Sequence, residues 1–80
     1  MTVKQFIEKV QDKGYDVVII KTWHEKGQIL GTLIADSEGQ IKPIEKYNDC
    51  EVWHFKNDST WTPELQLWVD VKELKRKKLL

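Results

Sequence analysis

Two runs of apolar residues constrain the fold of this chain more than any other feature of its sequence. The stretch Tyr15–Trp23 contains the β-branched run Val17–Ile20, and the stretch Gln28–Asp36 contains the mostly apolar run Ile29–Ala35. β-Branched residues favour strands, and a turn centred on Gly27 can join the two strands as a hairpin. Because successive side chains of a strand point to opposite faces, uninterrupted apolar runs make both faces of this hairpin apolar.

The residues before the hairpin predict an amphipathic helix from Thr2 to Lys13. Thr2 and Gln5 have the T-x-x-Q spacing of a capping box, in which each residue satisfies a free N–H group of the first turn. Apolar residues then recur every three or four positions and form one stripe, made of Val3, Phe6, Ile7 and Val10. Gly14 can adopt the left-handed conformation that commonly ends a helix.

Three further strands follow the hairpin, the first of them with a weaker pattern. After a turn at Ser37–Gln40, we expect an edge strand at Gln40–Lys46, since Pro43 cannot donate a ladder hydrogen bond. The stretches Cys50–Lys56 and Leu65–Val71 alternate with the period of two that is typical of strands. In the last of these, aliphatic side chains point one way and the polar and tryptophan side chains point the other way.

Together these elements predict a single α+β domain over residues 1–80, in which the helix packs on a four- to five-stranded antiparallel meander. The closing residues Val71–Leu80 are expected to form a short basic helix or a frayed tail. One helix covers only one face of a sheet, so the second apolar face needs a cover of its own. We expect the C-terminal segment, curling of the sheet, or a second copy in a two-fold homodimer to supply it.

The composition places the chain among soluble cytoplasmic proteins. Of its 80 residues, 40% are hydrophobic and 32% are charged, which is enough apolar material for a core. Cys50 is the single cysteine and cannot form an internal disulfide, as expected in a reducing compartment. Charged residues interrupt the first ten positions, which argues against a signal peptide, and no apolar run approaches the ~20 residues that span a bilayer. We therefore expect no membrane contact.

No arrangement of residues in the sequence indicates catalysis. Cys50 and His54 would lie about 13 Å apart on a strand, too far to share a metal ion or a proton. His24 lies in a different turn, and the acidic residues are spread through turns and strand ends. The glycines do not form a phosphate-binding loop, because none of them opens a helix in the required setting. We predict a protein that is not an enzyme and that uses neither a metal nor a cofactor.

Four tryptophans in 80 residues are the unusual feature of the composition. We expect Trp53 to be a core residue. Trp68 alternates with aliphatic residues that would face the helix, so we expect its indole to be exposed on the opposite side. Trp61 lies in a predicted loop, and Trp23 lies at a strand end. Exposed tryptophan is a common anchor of protein interfaces, and the predicted partner-binding residues are Trp23, His54, Trp61 and Trp68.

A basic segment near the end of the chain offers an alternative function. Beside the acidic Glu73 it holds five basic residues, Lys72, Lys75, Arg76, Lys77 and Lys78. Cations at the C-terminal end of a helix also complement the helix dipole. Because the net charge of the whole chain is zero, general nucleic-acid binding is disfavoured. A local contact with nucleic acid stays open, with these cations on phosphates and a tryptophan stacked on a base.

Several segments combine into one layout: the opening Met1–Val10, the Val/Ile strand with glycine-centred turns, and the closing pair Glu51–Phe55 and Leu65–Val69. This layout resembles small accessory proteins of phages and prophages of Gram-positive bacteria. The resemblance implies a protein that binds and blocks a host protein inside the bacterial cell, as anti-CRISPR and other anti-defence proteins do. We therefore predict a non-enzymatic protein-binding accessory protein. A nucleic-acid-binding regulator and a structural subunit of a larger assembly are the alternatives.

Overall fold

The computed structural model of the protein describes residues 1–23, 31–58 and 62–79. In chain order its helices and strands are α1 (Val3–Val10), β1 (Val17–Thr22), β2 (Thr32–Asp36), β3 (Val52–Asp58), β4 (Glu64–Val69) and α2 (Val71–Arg76). Two 3₁₀ turns, Gln11–Lys13 and Ile44–Tyr47, complete the set. The predicted α+β class is confirmed. The predicted hairpin turn at residues 25–28 and the start of the predicted second strand lie outside the described residues.

Helix α1 begins and ends close to where the sequence predicts. Thr2 Oγ1 accepts a hydrogen bond from the Gln5 N–H at 3.2 Å, and Gln5 Oε1 accepts one from the Thr2 N–H at 3.0 Å, which completes the capping box. The 3₁₀ turn Gln11–Lys13 continues the helix, and Gly14 ends it with a φ of +77°. Val3, the first residue of the apolar stripe, is completely buried.

The four strands form one sheet in the order β2-β1-β4-β3. β1 pairs antiparallel with β2, and β3 pairs antiparallel with β4, but the two central strands β1 and β4 pair in parallel. The predicted antiparallel meander is therefore wrong. That prediction assumes that strands adjacent in sequence are adjacent in the sheet, whereas the chain between β2 and β3 crosses from one edge to the other. Apolar runs that are buried on both faces are typical of parallel strands.

The predicted third strand is also wrong. Pro43 makes an isolated bridge with Asp36, and the residues that follow it form the 3₁₀ turn. Ile44 and Tyr47 are three residues apart, so they lie on the same side of this turn, and both are buried in the core. An alternation of period two does not describe this segment, because its two buried side chains repeat every three residues.

One face of the sheet forms the core together with the helices. Ile20 of β1 and Leu67 of β4 pair across the two central strands and are completely buried. Leu74 of α2 packs into the same cluster, so Val71–Arg76 forms a docked helix rather than part of a frayed tail. The whole buried cluster is made of Val3, Ile20, Ile34, Ala35, Ile44, Tyr47, Cys50, Leu65, Leu67, Val69 and Leu74.

Asp70 separates the last strand from the last helix. The strand predicted to reach Val71 ends at Val69, and Asp70 then caps α2 by accepting a hydrogen bond from the Lys72 N–H at 3.1 Å. Within the described ranges, no helix has the length and apolar character needed to cross a membrane.

The other face of the sheet, called the open face below, has no helix packed on it in the described part of the chain. The strand register places a row of four side chains across this face, made of Leu33, Lys21, Trp68 and His54. The C-terminal segment is an expected cover for this face, but α2 packs on the core face instead. Aromatic side chains of the sheet itself cover part of the open face.

Candidate functional site

Four aromatic side chains pack together on the open face and are called the aromatic cluster: Trp23, Trp53, His54 and Trp68. Trp23 lies at the centre, with ring centroids 4.2 Å from Trp53, 5.6 Å from His54 and 6.0 Å from Trp68. The rings of His54 and Trp68 also meet edge to face, 4.9 Å apart. Aromatic pairs stabilise a structure by about 0.5–1.5 kcal/mol beyond their buried area, so these rings hold one another in place.

A β-bulge at Trp53 brings this residue into the cluster. Its two neighbours in β3 pair with Val69 and Trp68, which are consecutive residues of β4, so Trp53 has no partner across the ladder. The extra residue changes the alternation of the strand, and Trp53 joins His54 on the open face. The alternation predicted for Cys50–Lys56 would place Trp53 and Phe55 on one face, and it is wrong at this point because of the bulge.

The exposures of Trp53 and Trp68 are the reverse of those predicted. Trp68 is only 4% exposed, whereas Trp53 is 53% exposed. Trp68 does point to the open face, as the alternation of β4 predicts. However, Trp23 and His54 pack against its ring, and the Lys21 ammonium lies over it. Pointing away from the helices is therefore not equivalent to being exposed, because neighbouring side chains can cover a flat ring.

Two indole N–H groups of the cluster, Trp23 Nε1 and Trp68 Nε1, are buried without a hydrogen-bond acceptor in the described part of the chain. A buried donor without an acceptor costs about 1–3 kcal/mol. The backbone of Gly31 comes so close that a Cβ on this residue would lie 2.5 Å from Trp68 Nε1. Gly31 also has a φ of +70°, a conformation that favours glycine. The tight packing around Trp68 thus depends on a glycine at this position.

A chain of polar contacts runs beside the cluster on the open face. The Lys21 ammonium lies 5.1 Å from the centroid of the Trp68 ring and donates a hydrogen bond to Gln66 Oε1 at 3.1 Å. Gln66 Nε2 in turn donates to Glu64 Oε2 at 2.8 Å. A cation over an aromatic face contributes about 0.5–2 kcal/mol. These contacts hold a positive charge in one place beside the cluster.

The structure brings together three of the four predicted partner-binding residues. Trp23, His54 and Trp68 meet in the aromatic cluster, whereas Trp61 lies outside the described residues. His54 is exposed, and Trp23 is half-buried. The exposure of Trp53 is not predicted from the sequence, because no pattern of residue types indicates the bulge that turns this side chain outward.

The predicted nucleic-acid contacts lie on the helical side of the sheet. They are carried by α2 and the residues after it, and α2 packs on the core face through Leu74. Arg76 lies 3.6 Å from Glu73, and Lys77 Nζ donates to Asp49 O at 2.9 Å. The cation seen over a ring of the cluster is Lys21, and it does not belong to the predicted set Lys72, Lys75, Arg76, Lys77 and Lys78.

Carboxylates lie beside the exposed indole of Trp53. A shallow pocket of about 380 Å³ is lined by Trp53 together with Glu51, Asp70 and Glu73. Glu73 accepts a hydrogen bond from the Glu51 N–H at 2.7 Å, and the Glu51 carboxylate pairs with the N-terminal ammonium of Met1 at 3.0 Å. The surroundings of Trp53 therefore carry more negative than positive charge, which disfavours a phosphate group there.

Cys50 and His54 do not meet in a common site. Cys50 is 1% exposed in the core, and burial raises the pKa of its thiol to about 11. His54 is exposed on the open face, among the rings of the cluster. No group of three or more His, Cys, Asp or Glu side chains in the described ranges is arranged to hold a metal ion.

Comparison with known proteins identifies no relative of this chain. No protein-family model matches the chain, and neither a curated protein nor a solved structure matches it. The inference of function therefore depends on the surfaces of the molecule itself.

Proposed function

We propose that the protein is a non-enzymatic accessory protein of the phage type, which binds a host protein and blocks part of its surface. The observation that carries this proposal is the half-exposed Trp53, held in place by the aromatic cluster. The partner packs against Trp53 and His54, and the rings of Trp23 and Trp68 support these two residues from below.

Trp53 has the properties of an interface anchor. Its indole is 53% exposed and meets Trp23 edge to face, with an angle of 84° between the ring planes. Tryptophan is enriched among the residues whose removal weakens interfaces most. Because neighbouring rings already hold the side chain, it loses less conformational entropy on binding. An exposed indole adds little to the core, so a partner gives a physical reason for its position.

The surroundings of Trp53 match the usual layout of a protein interface, in which an apolar centre has a polar rim. Leu33, at the far end of the open-face row, is 41% exposed and extends the apolar surface. Lys21 on one side and the carboxylates of Glu51 and Asp70 on the other offer both signs of charge. Charges of both signs around an anchor favour a partner with complementary polar groups.

Electrostatics at this site favour a protein over a nucleic acid. Bases stack on exposed tryptophan, but three carboxylates line the pocket at Trp53 against two cations that pair with them, Met1 and Arg76, and this negative balance disfavours the phosphates that accompany a base. A regulator that uses the basic residues of α2 is the second candidate. A salt series separates the two, because phosphate contacts weaken steeply with rising salt whereas an interface anchored by tryptophan changes little.

Site-specific photo-crosslinking tests the proposal. A benzophenone amino acid replaces Trp53 in one variant and Phe55 in the other, since these residues are almost equally exposed, at 53% and 52%. Each variant is irradiated in lysate of a Gram-positive host, and the cross-linked proteins are identified by mass spectrometry. We expect a host protein that cross-links from position 53 and does not cross-link from position 55.

The purified partner is then titrated with wild type, Trp53→Ala and Phe55→Ala. Loss of a central tryptophan anchor is expected to cost at least about 2 kcal/mol of binding, or roughly thirtyfold in Kd. Phe55→Ala is expected to leave Kd unchanged. An unchanged Kd for Trp53→Ala contradicts the proposal. Capture of nucleic acid alone, with a steep salt dependence, favours the regulator instead.

A further inference from the structure

A groove lies between α1 and β3, on the opposite side of the sheet from the aromatic cluster. Its volume is about 400 Å³, within the range of ligand-binding clefts. The apolar lining includes Phe6 and Val10 of α1, Phe55 of β3 and Leu65 of β4. The rings of Phe6 and Phe55 pack together with their centroids 5.0 Å apart. Phe55 is still 52% exposed, so a large apolar surface borders the groove.

Two lysines place uncompensated positive charge along the groove. Lys9 and Lys13 both line it, and their four-residue spacing puts them on one side of the helical segment. Both side chains are exposed, and neither makes an ion pair or a side-chain hydrogen bond with the residues that the structure describes. On the opposite wall, the Tyr15 hydroxyl donates to Asn57 Oδ1 at 2.7 Å. The groove therefore combines an apolar lining with free cations on one wall.

β3 presents backbone groups along the same groove. It is an edge strand, and among the described residues no strand pairs with its outer edge between His54 and Asn57. Thr2 makes an isolated bridge with Glu51, so a short piece of chain already pairs with the edge just before this stretch. Every second residue of an edge strand directs its N–H and C=O away from its partner strand, and these groups can pair with an added strand.

We propose that this groove binds an extended acidic segment of a second partner, distinct from the host protein that binds at Trp53, and that the segment adds a strand to β3. The backbone of the segment pairs with the outer edge of β3, and a large apolar side chain packs beside Phe55, Phe6 and Leu65. Carboxylates at neighbouring positions pair with Lys9 and Lys13. Side chains two positions apart on a strand share a face and lie about 7 Å from each other, so an apolar and an acidic side chain reach the groove together.

Other occupants match fewer of these features. Pairing two copies of the chain edge to edge offers no charge complementarity, because the second copy brings the same groove, whose described lining includes Lys9 and Lys13 and no carboxylate. An amphipathic carboxylate such as dodecanoate matches the charge and the apolar lining, but it has no backbone to pair with β3. The acidic segment matches all three features of the site: the positive charge, the apolar lining and the free backbone groups of β3. This site does not depend on Trp53 and is separate from the surface proposed above.

A peptide-binding assay tests the proposal with the full chain. The probe is a fluorescein-labelled nine-residue peptide with a central phenylalanine, glutamate at every second position on both sides of it, and threonine between them. Fluorescence anisotropy measures its Kd. One control peptide has lysine in place of glutamate, and a second has N-methyl groups on alternate backbone amides. We expect the glutamate peptide to bind and both controls to bind at least about tenfold more weakly.

Matched variants locate the binding site. Lys9→Gln combined with Lys13→Gln is expected to raise Kd on the order of tenfold. Lys4→Gln combined with Lys42→Gln removes the same charge from exposed positions away from the groove lining, and it is expected to leave Kd unchanged. Phe55→Ala is expected to weaken binding, whereas Trp53→Ala is expected to bind like wild type. Circular dichroism verifies that each variant is folded.

Several results would overturn the proposal. They are the absence of peptide binding up to about 1 mM, an equal effect of the two double lysine variants, and equal binding of the N-methylated peptide. Binding of dodecanoate with the same residue dependence, without peptide binding, also contradicts it. None of these results bears on the Trp53 surface, because Trp53→Ala retains the groove. A failure here and a failure of the proposed function are therefore distinguishable.

Discussion

Trp53 and Phe55 are two residues apart in β3 and almost equally exposed, at 53% and 52%, yet they lie on opposite faces of the sheet. The bulge at Trp53 is the cause, because it shifts the alternation of the strand by one residue. Trp53 packs on Trp23 on the open face, and Phe55 packs on Phe6 of α1. One edge strand thus supplies an aromatic residue to each of two separate surfaces.

Trp68→Ala is expected to destabilise the fold far more than Trp53→Ala. Trp68 is only 4% exposed, and removal of a large buried aromatic side chain costs about 3–5 kcal/mol. Trp53 loses mainly its contact with Trp23, so its replacement is expected to cost about 1 kcal/mol. Urea denaturation followed by circular dichroism measures both values. Similar losses for the two variants would mean that the cluster buries the two indoles to the same extent in solution.

Gly31→Ala is expected to destabilise the protein more than Gly39→Ala. Both glycines have a positive φ, at +70° and +72°, so both substitutions introduce backbone strain of about 1 kcal/mol or more. Only at Gly31 does the new Cβ also meet the Trp68 indole, whereas nothing lies within 4 Å of the Cβ position at Gly39. Each substitution lowers the free energy of unfolding relative to wild type, and the difference between the two losses measures the clash at Gly31. If Trp68→Phe does not reduce this difference, the close approach is not to the indole.

Local patterns in the sequence predict the helices and strands better than they predict the arrangement of the strands. The capping box at Thr2 and the glycine at Gly14 mark both ends of the first helix, and the alternation around Leu67 locates β4 to within two residues. The parallel pairing of Ile20 with Leu67 joins residues far apart in the chain. No short-range pattern encodes such a contact, so the expected meander is wrong.

The candidate site shows the same division between local and long-range information. The alternation of β4 correctly predicts which face Trp68 occupies, but its exposure depends on Trp23 and His54, which belong to other strands or their ends. The bulge at Trp53 follows from how β3 pairs with β4, and that pairing is not visible in the residues of β3 alone. The groove beside Lys9 is likewise formed by two elements that only the fold brings together.

The open face also leads to a prediction about oligomeric state. An apolar face without a helix on it favours a second copy of the chain, and two-fold dimers are the commonest oligomers. We expect a dimer at high micromolar concentration that competes with the host protein for Trp53. Light scattering distinguishes the dimer from the 9.5 kDa monomer. Trp53→Ala is expected to shift the equilibrium towards the monomer, and Phe55→Ala is expected to leave it unchanged. A single 9.5 kDa species would show that the aromatic cluster covers this face unaided.

Two neighbouring groups in the core make stability depend on alkaline pH. Burial raises the pKa of the Cys50 thiol from 9.0 to about 11. Burial and, to a smaller extent, the negative charge of the Cys50 thiolate raise the pKa of the Tyr47 hydroxyl above 10.0. Both residues are 1% exposed. The folded protein therefore favours the neutral form of each group, while the unfolded chain ionises it at its ordinary pKa.

The free energy of unfolding is accordingly expected to fall as the pH rises from about 9 to about 11. Below pH 9 the Cys50 thiol keeps its proton in both states, but above it the unfolded chain loses the proton first, so alkali favours unfolding. The shift in the pKa of Cys50 from 9.0 to about 11 corresponds to about 2–3 kcal/mol at most.

Urea denaturation at several pH values between 8 and 11 measures how the free energy of unfolding changes with pH in wild type and in Cys50→Ala. The variant is expected to be less stable at pH 8, because it leaves a cavity, but to lose less stability as the pH rises. Tyr47 is present in both proteins, so the part of its pKa shift that burial causes largely cancels in the comparison. Equal slopes in the two proteins would mean that the Cys50 thiol ionises as readily in the folded protein as in the unfolded chain.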